Sequence, residues 1–220
     1  MSIDGAVNKT LLLTILILLS AGWIWHKAFS GFAAVGTFIG IGAIVGMILA
    51  FITVFKRTWA PVTAPLYAIF EGVCLGGISA LFEVRYPGIV VKTVGLTFTT
   101  LAAMLVLYKT KVVQPTEKFK WGVMAATGGI ALIYLIGWIL SFFKIVLPIY
   151  GSSLFGIVFS FFVVGIAALN LIIDFDFIVK GSQQSLPKYM EWYGAFGLMV
   201  TLVWLYIELL RLLSKLNERR

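Results

Sequence analysis

Charge is scarce in this chain of 220 residues. Asp, Glu, Lys and Arg make up 12% of it, about half of what a soluble domain carries. No folded soluble surface can be dressed from so few charged groups. A water-soluble enzyme, a disordered tail and a nucleic-acid module are therefore excluded, despite a net charge of +8. No nucleic-acid partner is expected. Cysteine and histidine each occur once, at Cys74 and His26. One cysteine forbids an intrachain disulfide. Nor does the chain contain HExxH, CxxC or GxSxG, the markers of zinc hydrolysis, thiol redox sites and the serine elbow. No enzyme is expected and no cofactor is implied.

What the chain has instead is apolar residues, 61% of the total, in long uninterrupted runs. The charges act as punctuation and leave seven segments at about 10–26, 28–55, 58–82, 89–108, 121–143, 152–178 and 189–213. A helix needs about 20 residues to cross a hydrocarbon core of about 30 Å. The runs do not alternate at period two, which disfavours a β-barrel. The expected fold is an all-α integral membrane protein, a single domain over 1–220 with seven transmembrane helices. Six helices and a re-entrant segment form the alternative. Lys9, the apolar run after it and Ser20-Ala-Gly22 resemble a secretory signal. The run continues through Trp25, so an uncleaved first span is expected.

Loop lysines and arginines orient such a bundle. Nine lie on the N-terminal side: Lys9, Lys56, Arg57, Lys109, Lys111, Lys118, Lys120, Lys180 and Lys188. Four lie opposite, Lys27, Arg85, Lys92 and Lys144. With seven spans the tail adds Arg211, Lys215, Arg219 and Arg220 to the second side. Loops alone place the N-terminus in the cytoplasm, in a multi-pass protein of the cell (inner) membrane. Two small-xxx-small pairs mark the second segment, Gly36/Gly40 and Gly42/Gly46, and Gly72/Gly76 marks the third. Such spacing lets helix backbones approach closely in lipid.

Of nine acidic residues, Asp4, Glu83, Glu117 and Glu218 fall in loops or tails. Glu71, Asp174, Asp176, Glu191 and Glu208 fall within or at the ends of spans. An ionised acid at a helix centre costs about 2.5–3.5 kcal/mol on insertion scales. It therefore calls for a partner, a pathway or a cation. Asp174 and Asp176, two apart on one helix, point about 200° away from each other. Glu191 follows the next turn and can return to their level, forming a carboxylate cluster at the cytoplasmic mouth. Lys56, Arg57, Lys180 and Lys188 lie on the same side. Glu208 and Arg211, at i and i+3, read as an interfacial ion pair. Glu71 has no basic residue nearby along its helix, so hydrogen bonding and a cation or proton pathway both remain open for it. Ca²⁺ takes oxygen ligands and suits this inventory. Paired carboxyls would also share a proton, so H⁺ and Ca²⁺ compete for the same oxygens.

Three stretches carry a resemblance: Tyr67-Ala-Ile-Phe-Glu-Gly-Val-Cys-Leu-Gly-Gly-Ile-Ser79, Asp174-Phe-Asp-Phe-Ile178, and the seventh segment from Glu191-Trp-Tyr-Gly to Glu208-Leu-Leu-Arg211. With seven short-looped spans, they resemble the Bax inhibitor-like proteins, closest to a bacterial branch, over nearly the whole chain. The resemblance implies a seven-helix fold with the last helix central. It implies a pH-sensitive Ca²⁺ leak gated by two acids on the sixth and seventh helices, partnered by an arginine at the inner end of the second. Asp174 matches the sixth-helix acid, and Arg57 or Lys56 the basic position. Counting back from Leu-Leu-Arg211 puts Thr201 where the seventh-helix acid belongs. Glu191 substitutes from another depth, or Asp176 does, or the two-acid latch is altered here.

The candidate gating and cation site is therefore Asp174, Asp176, Glu191 and Glu71, with Arg57 or Lys56 as basic partner and Asp174 and Glu191 as weak Ca²⁺ ligands. The expected function is a pH-sensitive Ca²⁺-permeable leak channel, with the lipid bilayer and Ca²⁺ as partners. The alternative is a non-transporting regulator that binds membrane proteins such as a protease or stress factor. Its docking surfaces would be the second helix and the 109–120 loop.

Overall fold

The computed structural model describes residues 1–31, 34–145 and 147–219. Arg220, counted above in the basic tail, lies outside them. Seven helices follow one another: α1 (Ile3–Phe29), α2 (Val35–Phe55), α3 (Ala60–Arg85), α4 (Ile89–Lys109), α5 (Glu117–Phe142), α6 (Leu154–Gln183) and α7 (Tyr189–Glu218). All seven are long and apolar enough to cross a membrane. Among the described residues there is no strand. The protein is an all-α seven-helix membrane bundle.

The helix ends differ from the apolar runs because caps, not hydropathy, set them. The Ser2 hydroxyl accepts the Gly5 amide at 3.0 Å, so α1 begins seven residues before its apolar run. Thr116 caps α5 in the same way, accepting Phe119 N–H at 3.2 Å, with Glu117 favourably placed in the first turn. Gly88, at φ +82°, takes the left-handed conformation that opens α4. The polar turn expected at 181–187 is shorter, because α6 continues to Gln183 and Ser185 turns the chain. At the other end, α7 runs on to Glu218, so Arg211 and Lys215 are helical residues.

The chain divides into two compact units. One comprises Met1–Pro87 and Phe177–Val200, the other Gly88–Asp176 and Thr201–Arg220, so α6 and α7 contribute to both. In the first unit α3 packs against α1 and α2, which scarcely meet each other. Glycine permits both contacts. A Cβ on Gly72 or Gly76 would collide with α1 backbone at Ile17 or Ala21, and one on Gly42 with the Phe70 carbonyl of α3. Gly36 and Gly40 face open space. Of all seven helices α7 is the most buried: 61% of its apolar stretch is covered, against 17% for α1, α2, α4 and α5. That agrees with a central last helix.

Candidate functional site

Five acids fall within or at the ends of the apolar runs, and the structure deals with them one by one. In the second unit, Asp174 and Asp176 separate as their spacing requires. Asp176 is buried and pairs with Lys120 near the start of α5, Oδ2 to Nζ at 2.7 Å. The same ammonium lies 3.3 Å from Glu117. Asp174 instead receives a hydrogen bond from the Thr201 side chain of α7. Its Oδ2 is buried without a hydrogen-bond partner, the one such side-chain atom among the described residues. A buried polar atom left unpaired costs about 1–3 kcal/mol. An oxygen of this kind marks a place where a proton or a cation has something to bind.

Glu191 belongs to the first unit and is fully engaged there. The Ser2 N–H and hydroxyl donate to its Oε1 at 2.9 and 3.2 Å, and the Lys9 ammonium holds its Oε2. Gly5 leaves room for this, since a Cβ there would overlap the carboxylate. Glu191 thus ties the start of α7 to the start of α1. Each of these acids has a partner of its own, and among the described residues no three His, Cys, Asp or Glu side chains could hold a metal ion together. A Ca²⁺ ion at Glu191 would have to displace Lys9, so of the two expected ligands Asp174 is the one with an oxygen to offer.

Glu71 faces α2 at its glycine pair. Its Oε2 would lie 2.9 Å from a Cβ on Gly46, so the small residue makes space for the acid. Tyr67 and Cys74 lie one turn away on either side along α3. Arg57 and Lys56 each cover an aromatic ring: the Arg57 guanidinium lies 5.2 Å from the centroid of Tyr193, the Lys56 ammonium 4.6 Å from that of Trp59.

The expected Glu208–Arg211 pair forms at 3.1 Å, its carboxylate buried and its guanidinium exposed. Glu208 is 1% exposed, and the Tyr134 hydroxyl donates to its two oxygens at 2.9 and 3.0 Å. One turn further, Lys215 is 7% exposed and donates to Ser160 Oγ at 2.7 Å and to the carbonyls of Ile149 and Gly156 at 2.6 and 3.1 Å. These tyrosine, lysine and serine partners escaped the sequence reading. A lysine counted as a topology marker gives no sign along the sequence that it turns inward.

The family model described as Bax inhibitor 1 like matches residues 1–218. The chain belongs to that family. No curated protein and no solved structure matches it. In the Bax inhibitor 1 like frame the register acquires a physical meaning. Thr201, at the position implied for the seventh-helix acid, is the residue that reaches Asp174. A hydroxyl stands where a second carboxyl was implied. Glu191 and Asp176, the alternatives for that acid, are each paired to a lysine.

Proposed function

We propose that the protein is a Ca²⁺-permeable leak channel of the cell (inner) membrane, closed by protonation of Asp174, with its N-terminus in the cytoplasm. One observation carries the reading: the buried Asp174 oxygen that no protein group satisfies, on a carboxyl steadied by Thr201. A hard cation seeks such an oxygen. Ionised, the carboxylate attracts Ca²⁺; protonated, it does not, so acid reduces the leak. With one carboxyl and one hydroxyl the site binds weakly and releases easily, as conduction requires. Family membership and the Asp174-Phe-Asp-Phe-Ile178 motif support it, since the resemblance implies this activity. Glu71 is a second candidate acid on the route, and Arg57 or Lys56 the basic partner. Glu191 serves as a structural tie. The reading involves no enzymatic step.

The test is Ca²⁺ uptake by liposomes containing the protein. Uptake should be faster at about pH 7 than at about pH 6, and Asp174→Asn should abolish that difference. If Asp174→Asn leaves both flux and pH response unchanged, Asp174 is not the gate.

A second reading, a regulator that binds other membrane proteins, draws on Gly36 and Gly40. Their small-xxx-small face meets nothing among the described residues and is open to a partner helix. No flux above empty liposomes, with a stable co-purifying membrane protein lost on Gly40→Leu, would favour it.

A further inference from the structure

We propose that a cleft formed by the N-terminal ends of α4 and α6 and the C-terminal end of α7 binds an anionic phospholipid. The cleft has a volume of about 700 Å³ and lies wholly in the second unit, within the size range of ligand sites. Its chemistry is two-sided. Lys92 and Arg219 supply two positive charges and Asn217 an amide, and no acidic side chain lines it. Leu154, Ile157 and Leu216 supply an apolar wall. Beyond Leu154 the surface of α6 stays apolar and exposed through Val158 and Phe161.

This combination selects one occupant. A free phosphate would use the basic side chains and gain nothing from the wall. A zwitterionic lipid would use the wall, but its own ammonium would meet Lys92 and Arg219 as a like charge. An anionic phospholipid satisfies both, its phosphate between the two cations and an acyl chain along α6. The first turns of α4 and α6 bring two positive macrodipole ends to this side against the one negative end of α7. Each basic side chain near a membrane surface strengthens the attraction to anionic lipid about fivefold, so two are worth roughly 25-fold.

Native mass spectrometry of the detergent-solubilised full chain, titrated with phosphatidylglycerol or phosphatidylcholine, tests this. Phosphatidylglycerol should be retained preferentially, and Lys92→Gln/Arg219→Gln should weaken its binding roughly 25-fold without changing that of phosphatidylcholine. Each single substitution should cost about fivefold, which keeps the test readable if the double variant is unstable. Leu216→Asn should weaken retention of both lipids. Equal retention of the two lipids, or undiminished phosphatidylglycerol binding in the double variant, would overturn the proposal. So would displacement of phosphatidylglycerol by millimolar inorganic phosphate, which would make the ligand a phosphate ion and leave the wall without a role. None of these readouts depends on Ca²⁺ flux.

Discussion

The gate proposed at Asp174, with one carboxyl and one hydroxyl, would behave differently from one built on two carboxyls. Two carboxyls in contact share a proton and titrate as a pair. Asp174 and Thr201 form a site with one titrating group and one fixed donor. The hydroxyl donates to the Asp174 carboxyl, and a hydrogen bond to a charged group is worth about 1.5–3 kcal/mol. Thr201→Val keeps the shape and removes that donor. At a given mildly acidic pH it should therefore leak less Ca²⁺ than the parent, with the flux profile displaced by about one pH unit. Thr201→Ser should retain the parent profile, a rescue that a packing role for the methyl group would not give. Flux measured against pH for the three proteins decides the matter. The sequence made Asp174 conspicuous because acids are so rare in the spans, and the register pointed to Thr201. Lys9 was legible only as a loop charge, since its partner Glu191 lies 182 residues away and no local pattern encodes such a contact. The same holds for Lys215, whose three acceptors come from the start of α6 and the turn before it.

Helix packing in lipid has no hydrophobic drive between helices, so close approach of backbones carries much of it. Here α3 depends on its glycines twice, with Gly72 and Gly76 against α1 and Gly42 and Gly46 of α2 opposite. Gly76→Val would set a branched side chain against the Ala21 carbonyl and Ile24. Overpacking of this kind costs about 1–3 kcal/mol. Thermal unfolding in detergent should show Gly76→Val melting clearly below the parent and Gly40→Val melting with it, because Gly40 meets open space. If both variants melt alike, the α1–α3 approach is not a source of stability. The sequence announced both glycine pairs of α2 in the same spacing, but spacing alone could not say which pair faces α3. The seven helices were legible because uninterrupted apolar runs of this length have few other uses. Their ends were not, because Ser2, Thr116 and Gly88 act through backbone geometry that hydropathy does not register.

At the scale of the whole molecule, seven crossings make successive loops alternate between the two sides of the membrane. The proposed orientation adds a sign to that alternation. The α2–α3, α4–α5 and α6–α7 connections carry most of the loop lysines and arginines and would lie in the cytoplasm. In that orientation the α1–α2, α3–α4 and α5–α6 connections would face outward. The one cysteine, Cys74, is buried in α3, so reporter thiols can be placed almost without background. Val112 and Gln184 are exposed positions in two inner loops, Ser30 and Gly151 in two outer ones. With Cys substituted singly at each, a membrane-impermeant maleimide should label 30 and 151 in intact cells, and 112 and 184 only once the membrane is breached. Labelling of all four in the reverse pattern would invert the orientation and place the proposed Asp174 gate at the outer face. Labelling of 112 and 151 from the same side would mean that α5 does not cross, and would reinstate the six-helix alternative. The pattern matters for mechanism as well as topology: a gate that responds to cytoplasmic acid must have Asp174, nine residues before the end of α6, near the inner side.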